Sequence, residues 1–385
     1  MTRLLIMNFA LRLGDCGCVI AAMAMSYTII ACVAVRSRRR KHFVRGDASH
    51  PAVTVLKPLC GAEYQLYEAL RSFCEQRYAR FQIVFGVRDA EDPAVAVVHR
   101  LQREYPGLDL QLTIDSTQRG SSRKVSNLMN MMPLARHDFL VIADSDVHVA
   151  PDYLSNIVMP LLDPQVGIVT CPYRGRPRPG FWSLLGSIFV NEWFMPSAHV
   201  AALFGSRSFA FGATIALRRQ VLAGIGGFAA IKNQLADDYR LGELTRRMGL
   251  RTVLSDVVVE TGVDERTFAD LVRHELRWLR TIRTVQPAGY AFSFISFGVP
   301  TAALGCLLAA GANATLPILA MTAVARLVLH FAVCKAPLPL WRIGAVVVND
   351  VVGFALWCWG FTARRVQWRH ISYAVARDGS AHPIP

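Results

Sequence analysis

An α/β domain with a mostly parallel sheet, flanked by transmembrane helices, is the fold this sequence predicts. Three observations predict it. Long apolar stretches lie near both ends of the chain. Between them, short β-branched runs alternate with helical stretches, and two of those runs lead straight into aspartates. Alternation of this kind argues for parallel strands with helices on both faces. Ligands of such sheets bind beyond the carboxyl ends of the strands. Composition agrees: 53% of the 385 residues are hydrophobic and the mean hydropathy is +0.31, yet a long polar middle remains.

Leu13 to Val35 is nearly uninterrupted apolar sequence, enough to cross about 30 Å of hydrocarbon as a helix. The basic run Arg36, Arg38, Arg39, Arg40 and Lys41 follows it rather than preceding it, and no A-x-A site comes after. An uncleaved anchor with a cytoplasmic C-terminal flank is therefore expected. The expected division is 1–50 for anchor and basic linker, 51–287 for a cytoplasmic catalytic domain, 288–363 for a C-terminal membrane region and 364–385 for a basic tail.

Within the middle, AVTVLKPL reads as a strand, and EYQLYEALRSFCEQ carries Tyr64, Tyr67, Leu70, Phe73 and Cys74 at helical spacing. FQIVFGVRD is the next strand, followed by a helix from near Pro93. LQLTID is a third strand, KVSNLMNMMPLA a helix and DFLVIADSD a fourth strand. The aromatic-rich stretch from Pro179 to Ser206 suits either the headgroup boundary or a core helix of the catalytic domain. Residues 268–287 form a second interfacial candidate. From Gly289 to Val333 the pattern predicts two spans joined by a tight turn near Gly311-Ala312-Asn313. The stretch Leu338 to Phe361 carries Asn349-Asp350 in its middle. A charge there is costly in a bilayer, so it either faces protein or the segment does not cross.

The net charge of +14 has three possible partners: nucleic acid, anionic lipid or an anionic small substrate. The basic clusters abut apolar segments, Arg364, Arg365, Arg369 and Arg377 among them, which marks topology determinants and headgroup contacts. No zinc-finger spacing or RNP-like stretch supports nucleic acid. The nine cysteines show no C-x-x-C pair and no regular framework, so neither a zinc site nor a disulfide scaffold is indicated.

Asp144-Ser145-Asp146 ends a strand. Two carboxylates at i and i+2 can both reach a divalent cation, and an oxygen-lined site suits Mg²⁺ or Mn²⁺ bound to a diphosphate. Asp237-Asp238 reads as an acidic helix start or as a catalytic base aimed at the same sheet edge. In His274-Glu275-Leu276-Arg277-Trp278, Arg277 offers a fixed cation for phosphate and Trp278 a flat apolar wall; a basic amphipathic helix at a membrane surface is the alternative.

Asp89, then DSD, then ADD, then HxxRW, with membrane segments on both sides, resembles the processive-type and lipid-glycosylating branch of the family 2-like glycosyltransferases with a GT-A fold. KPLCG, RKVSNL, FGATIALRR, LADDY and HELRWLRTIR are similar to the ceramide glucosyltransferase family. VIADSDVHVAPDYL, TCPYRGRP and QPAGYA look most like the bacterial hopanoid-biosynthesis glycosyltransferases. The similarity runs from about Val53 onward.

The resemblance implies a GT-A domain that transfers sugar from a UDP-sugar with inversion. It implies Asp89 at the uridine, and Asp144 and Asp146 at the sugar-phosphate and metal, with Asp146 the direct ligand. Asp238 would be the base, with Asp237 as second choice. Arg277 and Trp278 would close over the diphosphate and the acceptor entrance, with His274 where many relatives carry Gln or Arg. Lys57 and Lys124 are either nucleotide contacts or solvated lysines. The acceptor is a membrane lipid, N-acetylglucosamine onto bacteriohopanetetrol first and glucose onto ceramide second. The place is the cytoplasmic face of a bacterial inner membrane.

Three rivals remain: an exporting polysaccharide synthase, for which three or four membrane segments are few; a non-catalytic scaffold, which has no physical need for clustered carboxylates; and a transporter using Asp350.

Overall fold

The computed structural model describes residues 2–37, 50–206, 210–309, 315–334, 341–362, 365–368, 371–376 and 379–384. Arg38 to Lys41, the break at 311–313, and Arg364, Arg369 and Arg377 lie outside the described residues. Strands β1 (Val53–Pro58), β2 (Phe81–Val87), β3 (Asp109–Ile114) and β4 (Phe139–Ala143) come first. Next are β5 (Val147–His148), β6 (Val166–Thr170), β7 (Tyr173–Pro177) and β8 (Thr214–Arg218). Then follow β9 (Arg251–Leu254), β10 (Val259–Val263), β11 (Arg365–Trp368), β12 (Ile371–Val375) and β13 (Ala381–Ile384). The chain divides into two units: 1–38, 179–205 and 265–364 form a helical one, and 39–178, 206–264 and 365–385 form a sheet-containing one.

In the sheet unit, a seven-stranded sheet runs β3-β2-β1-β4-β8-β6-β9. β1 pairs in parallel with β2 and β4, and β2 with β3; β8 is antiparallel to both β4 and β6. β1 and β4 are apolar almost throughout because helices cover both faces of a parallel sheet, so there is no solvent side to mark by alternation. Leu56, Val84, Leu140, Ile142, Ile215 and Leu217 form the core with Val125, Leu128 and Met131 of helix Arg123–Met131. That helix starts at Ser122, whose hydroxyl caps the Val125 N–H. A second sheet, β5-β10-β7, adjoins the end of β4 in the chain.

The basic tail is more than a tail. Strands β11 to β13 make an antiparallel meander, and Val366, Tyr373, Val375 and Ala381 bury themselves with Leu235. The pattern was missed because these strands are only four or five residues long, too short for period-two burial to stand out among the basic residues that flank them.

In the helical unit, Arg12–Arg36, Thr315–Val333 and Arg342–Gly360 are each long and apolar enough to cross a membrane. The stretch from Gly289, expected to begin with a straight span, is instead a bent pair: Pro287–Ser296 meets Gly298–Leu308 at 81°. The break is a 3₁₀ turn at Ser293–Ser296, where Ser293 and Ser296 hydroxyls bond back to nearby carbonyls and compete with the helical ladder. Composition registers apolarity, not direction, so the bend was invisible. Gly17 and Gly305 let two of these helices touch backbone to backbone: a Cβ on either would lie 2.4 or 2.5 Å from the other's carbonyl oxygen.

Asp350 faces protein. Its two oxygens accept from Arg326 Nε and Nη2 at 2.8 and 2.9 Å, while Arg326 Nη1 donates to Glu192 Oε2 at 2.7 Å. All three residues are 6% exposed or less. Glu192 lies in a π-helical turn, Phe189–Phe194, in the middle of the aromatic-rich stretch. That stretch groups with the apolar helices, not with the sheets: Phe189 and Trp193 stack at 4.6 Å, and Trp193 and Phe297 at 5.1 Å.

Candidate active site

The carboxyl ends of β1 and β4 converge where the sheet order reverses, beside β2. β1 ends at Lys57-Pro58, and β4 delivers Asp144, Ser145 and Asp146 into the loop before β5. That loop is pinned from three sides. The Lys57 ammonium donates to the Asp144 carbonyl oxygen, the Ser145 hydroxyl to Glu63 and the Thr261 hydroxyl of β10 to Asp146 Oδ2.

Helix Asp237–Arg247 starts on the two acidic residues, where its dipole favours negative charge. Asp238 Oδ2 accepts the Gly212 N–H at 2.8 Å and Oδ1 the Tyr239 N–H at 2.7 Å. Lys124, from the helix after β3, stands between the two acidic pairs: its Nζ is 2.5 Å from Asp144 Oδ1 and 4.0 Å from Asp237 Oδ2. Asp144, Asp146, Asp237 and Asp238 are thereby gathered around two lysines. Lys57 is fully buried with its ammonium over the Phe73 ring, so the solvated-lysine reading fails for it. The family resemblance made Lys124 a candidate nucleotide contact; its bridging position was not readable, because Asp144 and Asp237 become neighbours only in the fold.

Burial sets the electrostatics. It pushes Asp238 up to about 6, with the charge of Asp237 adding to the effect while Lys124 and the two amides oppose it. Burial likewise raises Asp237 and, helped by Asp144, Asp146. It pushes Lys57 down to about 7 against the pull of Asp146 and Asp144. Burial also works against the charge on Lys124, but Asp144 and Asp237 outweigh it and hold the ammonium on. Four carboxylates against two ammoniums leave a negative surplus of hard oxygen donors, a set that fits Mg²⁺ or Mn²⁺. Asp144 and Asp146 are the residues that would hold such an ion.

Gly212, just before β8, lies at the centre of the cluster. A Cβ there would be 3.2 Å from Asp238 Oδ2, 3.4 Å from Lys124 Nζ and 3.6 Å from Asp144 Oδ2. Gly212→Ala is expected to lower kcat roughly 10-fold by shifting Asp238 Oδ2 by a few tenths of an ångström, Lys124 and Asp144 staying at ordinary contact distance, with circular dichroism unchanged. A variant of unaltered kcat would show that the cluster tolerates displacement and is not the reacting centre.

Asp89 follows β2 and is exposed; its Oδ1 accepts the Glu91 N–H at 3.0 Å, and it makes no hydrogen bond to the cluster among the described residues. His274, Arg277 and Trp278 belong to the helical unit, on helix Phe268–Val285, which opens with a Thr267/Asp270 capping box. There His274 Nδ1 pairs with Glu265, and the His274 ring stands edge-on to Trp278 at 5.3 Å. Trp278 also packs against Phe194 at 5.0 Å. The buried carboxyl of Glu275, within the same motif, was not singled out from sequence; burial and then Glu265 raise its pKa well above the usual range.

Comparison with solved structures gives a fold match. A mannosyltransferase from Pyrobaculum calidifontis, in complex with GDP-Man and Mn²⁺, superposes with a TM-score of 0.58 at 22% identity, over 89% of this chain and 98% of that one. The fold is that of the GT-A glycosyltransferases. Ceramide glucosyltransferase 1 of Caenorhabditis elegans is 26% identical over 219 residues, 56% of this chain and 47% of that protein. An N-acetylglucosaminyltransferase of Bradyrhizobium diazoefficiens is 25% identical over 242 residues, 60% and 49% of the two chains. The chain thus spans about half the length of the curated relatives it matches. The model of glycosyl transferase family 21 matches residues 17–381, nearly the whole sequence, and the chain belongs to that family.

Proposed function

We propose that this protein is an inverting glycosyltransferase that moves a sugar from a UDP-sugar to the hydroxyl of a membrane lipid. The observation that carries the reading is Asp238: a carboxylate held by two backbone amides, raised to about 6, within a cluster of oxygen donors. A general base works best with a pKa near the working pH. Asp238 takes the proton from the acceptor hydroxyl as that oxygen attacks the anomeric carbon, and UDP departs from the opposite face. Lys124 holds the Asp144 and Asp237 carboxylates apart, and Lys57 fixes the Asp144 carbonyl. A divalent cation at Asp144 and Asp146, when bound, neutralises charge on the departing diphosphate.

Asp89 is assigned to the uridine, and His274, Arg277 and Trp278 to the diphosphate and acceptor entrance, on their motifs alone. The anchor, 51–287 as the catalytic region, and a cytoplasmic-face location in a bacterial inner membrane follow the sequence pattern. Helices able to cross a membrane support the anchor.

For the substrates, the hopanoid-type motifs and the likeness to a bacterial N-acetylglucosaminyltransferase favour N-acetylglucosamine onto bacteriohopanetetrol. Glucose onto ceramide is the second reading, favoured by the ceramide glucosyltransferase matches. Labelled UDP-N-acetylglucosamine and UDP-glucose, each offered with bacteriohopanetetrol or ceramide to membranes expressing the protein, decide between them. Hopanoid labelling supports the first, labelled ceramide replaces the substrate, and no transfer to either revives the scaffold reading.

Thr261 orients Asp146 without being a catalytic group. Thr261→Val is expected to weaken Mn²⁺ binding about 10–100-fold, read both by Mn²⁺ paramagnetic resonance and by the metal dependence of rate, with Thr261→Ser restoring both. Unchanged Mn²⁺ affinity in the valine variant would remove Asp146 from the ligand set.

A further inference from the structure

The helical unit holds a second cluster with a different chemistry. Glu192 Oε1, His330 Nδ1 and Cys334 Sγ all lie within 4.8 Å of one another. Oε1 is 2.6 Å from Nδ1, and Cys334 Sγ is 3.7 Å from Oε1. His330 and Cys334 are four residues apart, so the helix Thr315–Val333 and its end present them on one side. Glu192 reaches them from the π-helical turn. The carboxylate is 138 and 142 positions from the imidazole and the thiol, and one His-x-x-x-Cys pair without it is no zinc pattern, which is why the cysteine pattern pointed away from zinc.

Three observations separate this group from an ordinary buried hydrogen bond. The first is spacing. Ligands 2.0–2.3 Å from a tetrahedral ion stand roughly 3.3–3.8 Å from each other, so the thiol already stands at that distance from the carboxylate oxygen, and the imidazole needs to move away from that oxygen by under about 1 Å. The second is orientation. Glu192 does not hang free: Arg326 holds its other oxygen, and Asp350 holds Arg326 with both of its own. A ligating carboxylate fixed by an outer partner is how metal sites are commonly built.

The third is charge. Two carboxylates face one guanidinium at positions 6% exposed or less, leaving one negative charge over. A divalent ion with the thiolate of Cys334 brings the sum to zero. A proton on His330, with the Cys334 thiol donating to the same carboxylate oxygen, would also do so, and the metal content of the purified protein separates the two.

We propose that Glu192, His330 and Cys334 form a binding site for a zinc-class divalent ion, tying the π-helical turn to the end of helix Thr315–Val333. One oxygen, one nitrogen and one sulfur donor suit Zn²⁺ or Co²⁺ and not the Mg²⁺ or Mn²⁺ of an all-carboxylate site.

The test uses the full chain purified in detergent from zinc-supplemented cells. Elemental analysis is expected to find about one zinc per chain, retained in Asp146→Asn and lost in both His330→Ala and Cys334→Ser. Replacement by Co²⁺ is expected to give a thiolate-to-cobalt band in the near ultraviolet that Cys334→Ser abolishes. Since a variant can lose metal by misfolding, the unaltered protein supplies the second readout: Cys334, located by peptide mass spectrometry, is expected to alkylate several-fold faster after chelation. Folded protein with no zinc and no cobalt band, or zinc retained in both ligand variants, overturns the site.

Discussion

Asp238→Asn is expected to lower kcat by about 10²–10⁴-fold while leaving the affinity for the UDP-sugar unchanged. The substitution keeps the shape of the side chain and removes the capacity to take a proton; its single carbonyl oxygen can accept from only one of the Gly212 and Tyr239 N–H groups, and the other loses its acceptor. Asp237 makes the control. It lies 4.0 Å from Lys124, which stays paired with Asp144 at 2.5 Å, so Asp237→Asn removes one negative charge beside that lysine and is expected to alter donor affinity more than kcat. The pH profile gives a further check. Asp238 is raised to about 6 by burial and by Asp237, so it is ionised above that value and protonated below it. The rate is expected to fall as pH drops through about 6, with a bound cation moving the limb lower. Equal and large losses of kcat in both variants would assign the base to the pair; lost donor affinity in Asp238→Asn would make that residue a donor ligand instead.

The second large effect concerns Arg326. Arg326→Met leaves Glu192 and Asp350 buried without their shared cation. Breaking a buried ion pair from one side costs about 3–5 kcal/mol because the remaining charge has no compensation. The melting temperature in detergent should fall on the order of 10 °C. Adding Glu192→Gln and Asp350→Asn removes the stranded charges and is expected to recover most of the loss. A single variant as stable as the parent protein would mean that the carboxylates find another cation, and a triple variant worse than the single would place the energy in geometry rather than charge.

What sequence reading captured follows from what chain chemistry exposes. β1, β2 and β4 were legible because strands buried on both faces are unbroken apolar runs that end abruptly at Lys57, Asp89 and Asp144. Asp144, Asp146, Asp237 and Asp238 were legible as local pairs, and the structure brings both pairs to one lysine. The bridging position of Lys124, the Gly212 amide and Thr261 were not, since each acts on a partner far along the chain. The same holds for Arg326: a lone cation in an apolar segment says only that a partner must exist, and here the partners are 24 and 134 positions away. The bend at Ser293–Ser296 and the meander β11 to β13 were lost for the opposite reason, weak local signal rather than distance.

The meander also orders events in time. Leu235 donates its N–H to the Gly379 carbonyl at 3.0 Å, and Ala381 returns one to the Asn233 carbonyl at 2.8 Å, two residues short of the acidic pair. The loop carrying the base is thus closed by strands translated long after it. At about 5–20 residues per second, the ribosome delivers that closing segment on the order of ten seconds after Asp238 leaves the peptidyl-transferase centre. A nascent chain that already held every acidic residue of the site would keep the loop before Asp237 and Asp238 unlatched until β13 emerged.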